Sequence, residues 1–141
     1  MMKVFIDTNI LIDFISGRKP FVDESIVFFQ LADNRDIELL VSDLTIVNTV
    51  YILQRLHYSL SDIYETLNEI RALLTITSVG AETIDYCLKT RGNDFEDEVQ
   101  YYSAMKAGAN YVITRNRKDF PPEAANVLSP RDFLDRMNIT L

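Results

Sequence analysis

The chain alternates between short apolar runs and longer segments in which apolar residues recur at helical spacing. Val4, Phe5 and Ile6 lack the alternation of a half-exposed strand, which predicts a strand buried on both faces of a parallel sheet. Similar runs predict strands at residues 37–41, 74–79, 111–114 and 126–128. Helices are predicted at about residues 9–16, 23–34, 43–57, 62–73, 82–89, 94–107 and 130–137. Because strands alternate with helices, we expect a three-layer α/β/α fold with a central, mostly parallel sheet of four to five strands, in one domain spanning residues 1–141.

Residues with strong capping preferences mark the ends of several predicted helices. Gly17 is well placed to end the first helix. Ser42 and Ser61 are expected to cap the third and fourth helices, because a serine side chain can accept from the free backbone N–H groups there. Ser129 is followed by a proline, which predicts an N-cap and a first helical position for the last helix.

Composition narrows the class of protein. The hydrophobic fraction of 48% and charged fraction of 25% are near globular averages. No apolar run approaches the roughly 18–20 residues that span a bilayer, and no signal peptide is visible before the first strand. Cys87 is the sole cysteine, which excludes an internal disulfide and favours a reducing compartment, so we expect a cytoplasmic protein without a membrane partner. The net charge of −7 argues against a sequence-independent nucleic-acid binder, unless some of the acids hold a metal ion.

Acids and amides follow predicted strands or open a predicted helix at several places. Asp7 follows the first strand, and Asn116 follows the strand that ends at Thr114. In open α/β sheets, ligands bind beyond the carboxyl ends of the strands, so both side chains would lie at that edge. Asp94 and Asp97 are three residues apart at a helix start and would share one face of its first turn. Oxygen ligands of this kind suit a hard cation such as Mg²⁺ or Mn²⁺.

Three motifs in this chain resemble those of a known family, in the same order and spacing. They are Val4-Phe5-Ile6-Asp7-Thr8-Asn9-Ile10-Leu11, Asp94-Phe95-Glu96-Asp97 and Ile113-Thr114-Arg115-Asn116-Arg117-Lys118-Asp119-Phe120. The family is the PIN domain, the metal-dependent ribonuclease fold of VapC-type toxins. The likeness covers nearly the whole chain.

The family's pattern has four acidic positions, and this chain matches two of them with acids. Asp7 ends the first strand and Asp97 lies near the start of the later helix, with Asp94 one turn earlier. The other two positions carry the amides Asn48 and Asn116, so the chain resembles a subgroup with that substitution. An amide oxygen binds a metal ion more weakly than a carboxylate does, and Asp94, Asp119 or Asp43 could compensate.

The resemblance implies hydrolysis of RNA phosphodiester bonds with the help of Mg²⁺ or Mn²⁺. It implies Asp7, Asp97 and Asp94 as metal ligands, and these three with Asn116 as catalytic residues. The substrate-binding candidates are Thr114, Arg115, Arg117, Lys118 and Asn48. The implied partners are an RNA substrate, a cognate antitoxin protein and a second copy of the chain.

Each of these residues also has a purely structural interpretation. Asp7 is a favoured N-cap residue, and Asp94 and Asp97 would complement a helix dipole in a first turn. Asn48 can be a buried hydrogen-bonded amide, Asn116 an ordinary turn residue, and the basic cluster a solvated loop.

Two function hypotheses therefore stand. The first is a metal-dependent endoribonuclease, the toxin of a toxin–antitoxin pair. The second is a catalytically weak or inactive PIN domain that acts as an RNA-binding or protein-interaction module, motivated by the two amides. The metal-site hypothesis requires that the Asp7 and Asp97 carboxylates face one cleft.

Overall fold

The computed structural model describes all 141 residues. Five strands form one sheet: β1 (Met2–Ile6), β2 (Ile37–Ser42), β3 (Thr75–Thr77), β4 (Tyr111–Ile113) and β5 (Val127–Leu128). Seven α-helices flank it: α1 (Thr8–Ser16), α2 (Val22–Asp33), α3 (Asp43–Arg55), α4 (Leu60–Ile70), α5 (Gly80–Thr90), α6 (Phe95–Lys106) and α7 (Pro130–Arg136). Short 3-10 turns lie at Arg71–Leu73 and Arg117–Asp119. The predicted three-layer fold is confirmed.

The sheet has the order β3-β2-β1-β4-β5, and every pair of neighbours is parallel. β1 is the central strand, with Val4 opposite Leu39 on one side and Tyr111 on the other. The chain builds outward from β1 through β2 to β3, and then returns to the far side of β1. The strand order therefore reverses between β1 and β4, which is where α/β sheets of this kind place their binding crevice.

The predicted burial of β1 on both faces is confirmed. Val4, Phe5 and Ile6 are all fully buried, and successive side chains point to opposite faces. Val4 and Ile6 join an apolar cluster that holds α1, α2 and α7 on one face. Phe5 joins a second cluster with Ala104 of α6 on the other face. The strand's apolar sequence thus fixes a helical layer on each side.

The caps at most predicted ends are confirmed, and one is wrong. Gly17 ends α1 with a φ of 65°, and Ser42 accepts from the Thr45 N–H at 3.0 Å. Ser129 caps α7, as expected. However, the cap of α4 is Ser59 and not Ser61, because the Ser59 side chain accepts from the Asp62 N–H at 3.1 Å. The other predicted helix and strand ends differ from the observed ones by a few residues at most.

A buried polar network attaches α6 to the carboxyl end of β2. Gln100 is fully buried; its Nε2 donates to Thr45 Oγ1 at 2.8 Å, and its Oε1 accepts from Ser42 Oγ at 2.7 Å. Ser42 ends β2, Thr45 opens α3, and Gln100 lies one turn after Asp97 on α6. The network therefore holds the first turn of α6 against the sheet edge.

We predict that Gln100→Ala lowers the free energy of unfolding by about 2–3 kcal/mol, because it leaves buried hydroxyls unpaired and opens a cavity. Urea unfolding followed by circular dichroism measures this. The matched control is Gln30→Ala at an exposed site on α2, for which we expect a change within about 0.5 kcal/mol. Equal midpoints for the two variants would show that the network does not stabilise the fold.

Candidate metal centre

Asp7 is a helix cap and also a cleft residue. It lies between β1 and α1, and its Oδ1 accepts from the Thr8 N–H at 2.8 Å. Its Oδ2 accepts from Thr114 Oγ1 at 2.8 Å and lies 3.3 Å from Asn9 Nδ2. The carboxylate is only 4% exposed. The capping role and the site role therefore coexist, because different oxygens serve them.

Thr114 follows β4 and fixes Asp7 from the neighbouring strand. Its side chain is fully buried, and its Oγ1 also accepts from the Asn116 N–H at 3.1 Å. Asn116 follows it into the cleft with an exposed side chain. The parallel pairing of β1 with β4 is what brings these polar residues to the same edge.

The opening of α6 brings Asp97 to the same place. Asp94 is the N-cap of α6 and accepts from the Asp97 N–H at 3.0 Å, which orients the first turn. Asp97 is 7% exposed and lines the same cleft as Asp7. The carboxylate oxygens of Asp7, Glu96 and Asp97 all lie within 4.8 Å of one another. The required convergence of Asp7 and Asp97 on one cleft is therefore present.

Glu96 is a site residue that the motif contained but that sequence reasoning gave no role. Its Oε1 accepts from Gln100 Nε2 at 3.3 Å and lies 3.5 Å from Asn48 Nδ2 on α3. Asn48 thus lies in the cleft beside a carboxylate that comes from another element. In the sequence, the indication that Glu96 belongs to the site was its position next to Asp97 in the first turn of α6.

A second acidic cluster shares Asp97 with the first. Carboxylate oxygens of Asp94, Asp97 and Asp119 also lie within 4.8 Å of one another. Asp119 comes from the 3-10 turn that follows β4. Asp97 is therefore the residue common to both groups of potential ligands.

Burial, and then the charges of neighbouring acids, raise the pKa of Asp7 and of Asp97. Burial raises the pKa of Asp7 to about 6, and the neighbouring Glu96 and Asp94 charges act in the same direction, although hydrogen bonds from Thr114 and Thr8 oppose them. Burial, the Asp7 charge and a side-chain hydrogen bond with Glu96 raise the pKa of Asp97 to about 9. A divalent cation would relieve this repulsion, and carboxylate oxygens are the ligands that Mg²⁺ and Mn²⁺ prefer. The donor set therefore fits such an ion.

The cleft has a volume of about 360 Å³, and two arginines line it together with the acids. Its lining residues are Asp7, Thr8, Asn9, Ile12, Arg18, Asn48, Ile52, Glu96, Asp97, Arg115 and Asn116. Of the three basic candidates, only Arg115 is among them. Arg117 instead donates to backbone carbonyls, including that of Ala124 at 2.7 Å, and Lys118 is exposed outside the lining.

Asn9 and Arg18 line the cleft without having been singled out in the sequence. Asn9 Nδ2 lies 3.4 Å from Thr114 Oγ1, and Asn9 Oδ1 lies 3.4 Å from the Arg115 N–H. Asn9 therefore bridges the polar residues that follow β1 and β4. Its place in the first motif was the available signal, whereas nothing local marked Arg18.

The fold and the acidic cleft agree with the PIN-domain resemblance of the sequence, and comparison with known proteins leads to the same family. Residues 3–118 match the PIN domain family. Since this stretch is most of the chain, the protein belongs to the PIN domain family. The chain is also 26% identical over 143 residues to Ribonuclease VapC1 of Aquifex aeolicus (strain VF5), and the match covers 96% of each chain.

Solved structures show the same fold. A toxin–antitoxin complex from Klebsiella pneumoniae matches with a TM-score of 0.66 and 22% identity, over 90% of this chain and 97% of that chain. VapBC2 from Rickettsia felis, bound to a DNA fragment from its promoter, matches with a TM-score of 0.62 and 18% identity. That match covers 91% of this chain and 98% of the Rickettsia chain. VapC20 of Mycobacterium tuberculosis, a sarcin–ricin loop cleaving toxin, matches with a TM-score of 0.61 and 13% identity. That match covers 85% of this chain and 91% of the VapC20 chain.

We predict that Asp97→Asn stabilises the metal-free protein at alkaline pH. The folded-state pKa of Asp97 is raised, so the native protein loses stability as pH rises from about 4 towards about 9, and the amide removes this loss. We expect a gain on the order of 3 kcal/mol at pH 8 that vanishes near pH 4. Thermal unfolding in EDTA at both pH values measures it.

Asp85→Asn on α5 is the matched control, because Asp85 is exposed and lies outside the cleft. It should leave the unfolding temperature unchanged at both pH values. If Asp97→Asn at pH 8 were no more stable than the wild type, burial and the neighbouring charges would not raise the pKa of Asp97.

Proposed function

We propose that this protein is a metal-dependent endoribonuclease that hydrolyses RNA phosphodiester bonds and is the toxin of a toxin–antitoxin pair. The observation that carries the proposal is the convergence of Asp7, Glu96 and Asp97 within 4.8 Å in a cleft with a cationic side. The similarity to a protein named Ribonuclease VapC1 supports the reaction class. The toxin named among the structural neighbours supports the toxin assignment.

Asp7 and Asp97 would hold Mg²⁺ or Mn²⁺ directly or through water, and Asp94 would add a ligand or orient a water molecule. A bound divalent ion supplies the positive charge and the water activation that this hydrolysis needs. Thr114 keeps the Asp7 carboxylate in place through its 2.8 Å hydrogen bond. Asn116 would donate from its exposed amide to a water molecule or to the scissile phosphate.

The binding of RNA by a chain of net charge −7 needs a local explanation. The acids of the cleft are offset by the bound ion, and Arg115 provides positive charge at its side. Asn48 would contact the substrate from α3. Arg117 and Lys118 follow Arg115 along the chain and would contact phosphates farther from the cleft.

We propose the antitoxin and a second copy of this chain as its protein partners, in the cytoplasm. Val47 and Tyr51, one turn apart on α3, are 66% and 60% exposed, and Tyr64 on α4 is 55% exposed. Such apolar surface favours protein contact. The similar structure from Klebsiella pneumoniae is a toxin–antitoxin complex, which supports an antitoxin as a partner. The free thiol of Cys87 fits a reducing compartment.

A test of self-association uses Tyr51→Ser, which removes exposed apolar surface from α3. We expect light scattering to give about twice the 16.3 kDa chain mass for the wild type and a lower mass for the variant. Tyr86→Ser, at another exposed tyrosine on α5, is the control and should keep the wild-type mass. A wild-type protein that stays at the mass of one chain would contradict the homodimer.

A catalytically weak or inactive domain that binds RNA or protein is the second candidate function. The observation in its favour is that Asn48 and Asn116, both in the cleft, carry amides where the family pattern has acids. Glu96 weakens this candidate, because it brings a third carboxylate to the cleft from α6. Metal binding and cleavage separate the two candidates.

We predict that the protein cleaves a structured RNA in Mn²⁺ or Mg²⁺ and not in EDTA. Asp7→Asn and Asp97→Asn should each lower kcat/KM by about 100-fold or more, because each removes a carboxylate ligand. Asp85→Asn, the exposed control on α5, should cleave like the wild type. Gel electrophoresis of end-labelled RNA measures the rates.

Two results would count against this account in different ways. Cleavage that survives both Asp7→Asn and Asp97→Asn would show that the site is assigned wrongly. A folded wild-type protein that binds no Mn²⁺ at millimolar concentration and cleaves no RNA would support the inactive domain.

A further inference from the structure

Asp13 is a buried carboxylate whose partners are two arginines of the cleft. It lies on α1 and is 1% exposed. Its Oδ1 accepts from Arg18 Nε at 2.8 Å and from Arg115 Nη2 at 3.2 Å, and its Oδ2 accepts from Arg115 Nε at 2.7 Å. One acid thus holds two guanidinium groups that come from opposite ends of the sequence.

Most donors of these arginines have no acceptor in the protein. A guanidinium group has five N–H donors. Arg115 uses two of them on Asp13, and Arg18 uses one. The remaining three donors of Arg115 and four donors of Arg18 have no protein partner. The Arg115 side chain is 24% exposed, that of Arg18 is 41% exposed, and both line the cleft. The cleft therefore carries cationic donors that are held by Asp13 and are free to bind water or a ligand.

Arg115 is fixed by a second contact as well. Its guanidinium carbon lies 3.9 Å from the centre of the Phe21 ring, which covers one face of the group. Asp13 binds one edge of the guanidinium group and Phe21 covers a face, while the remaining N–H donors of Arg115 are free. Arg115 lines both the acidic cleft and a neighbouring pocket with Phe21 and Arg131. Such a fork matches the paired oxygens of a phosphate group.

A purely structural role explains this arrangement poorly. Replacement of a buried ion pair by apolar residues is often neutral or stabilising, so such a cluster is weak support for a role in stability. Arg117 differs, because its Nη1 and Nη2 atoms contact three backbone carbonyls and are used within the fold.

We propose that Arg18 and Arg115 form a phosphodiester-binding subsite beside the acidic cluster, and that Asp13 is the positioning residue that holds both guanidinium groups. The ligand is the non-bridging oxygens of an RNA phosphate. The subsite rests on the proposed ribonuclease function and deepens it. The cleft would then have two sides, with acids for a cation and arginines for the phosphate chain.

The test is RNA binding with Ca²⁺ in place of Mg²⁺, measured by fluorescence anisotropy over a range of salt, with a gel to show that the RNA stays intact. Arg18→Met and Arg115→Met should each raise Kd about tenfold, because each loses charge-assisted hydrogen bonds. Each should also reduce the slope of log K against log salt by about 0.7 per lost single-strand contact. Arg136→Met, at an exposed site on α7, should match the wild type.

The role of Asp13 is tested in two backgrounds. In the wild type, Asp13→Asn should weaken RNA binding and reduce the salt slope, because the arginines lose their anchor. In the Arg18→Met/Arg115→Met double variant, the same change should leave RNA binding unchanged and raise the unfolding temperature, because it removes an unpaired buried charge. A structural role alone would change the unfolding temperature and leave the salt slope as it is.

The outcomes separate this inference from the proposed function. If the wild type binds and cleaves RNA while Arg18→Met and Arg115→Met keep its affinity and salt slope, the subsite is wrong and the ribonuclease assignment stands. If the folded wild type neither binds nor cleaves RNA, the ribonuclease assignment fails and the subsite fails with it.

Discussion

Repulsion among buried carboxylates is the constraint around which this structure is arranged. Asp7 and Asp97 are almost inaccessible to solvent, and Glu96 lies close to both. A set of buried carboxylates this close together persists only where the surrounding structure holds the side chains in place. The holding contacts are short and specific: Thr114 donates to Asp7, and Asp94 orients the backbone of Asp97. Burial, with the neighbouring charges, raises the pKa of both acids, and the Thr114 hydrogen bond opposes this at Asp7.

The parallel sheet supplies the geometry for this. Because β1 and β4 are neighbours, the residues that follow them meet, although more than 100 positions separate them in the sequence. Gln100 then connects α6 to the end of β2, so that the acids of the helix reach the same edge. In the same cleft, Arg18 and Arg115 both bind Asp13. Each side is made by residues that are distant in the chain and adjacent in the fold.

The sheet, the motifs around the acids and most helix caps were predictable from the sequence, because each depends on residues that are close together in the chain. The apolar run of β1 and the alternation of strands with helices are enough to predict a mostly parallel sheet, and the motifs around Asp7 and Asp97 indicated the family. The caps at Gly17 and Ser42 follow from residue type. At α4 two serines stand two positions apart, and residue type does not decide between Ser59 and Ser61.

The remaining features depend on long-range contacts that no local pattern encodes. Glu96 belongs to the cleft because its side chain turns towards Asn48 of α3, which a helix-start pattern does not specify. In the sequence, Asp13 looks like an ordinary polar residue of an apolar helix. Its contact with Arg115, about 100 residues later in the chain, exists only in the fold. Arg117 and Lys118 looked equivalent to Arg115 in the sequence, but only Arg115 lines the cleft.

We propose that Asp7 and Asp97 hold a divalent cation. This can be tested with crystals grown with Mn²⁺ near pH 7.5, with data collected for the anomalous signal of manganese. We expect a peak at about 2.1 Å from oxygens of Asp7 and Asp97, or one water molecule away from them. An empty cleft, or a peak on Asp94 and Asp119 that leaves Asp7 without contact, would contradict it.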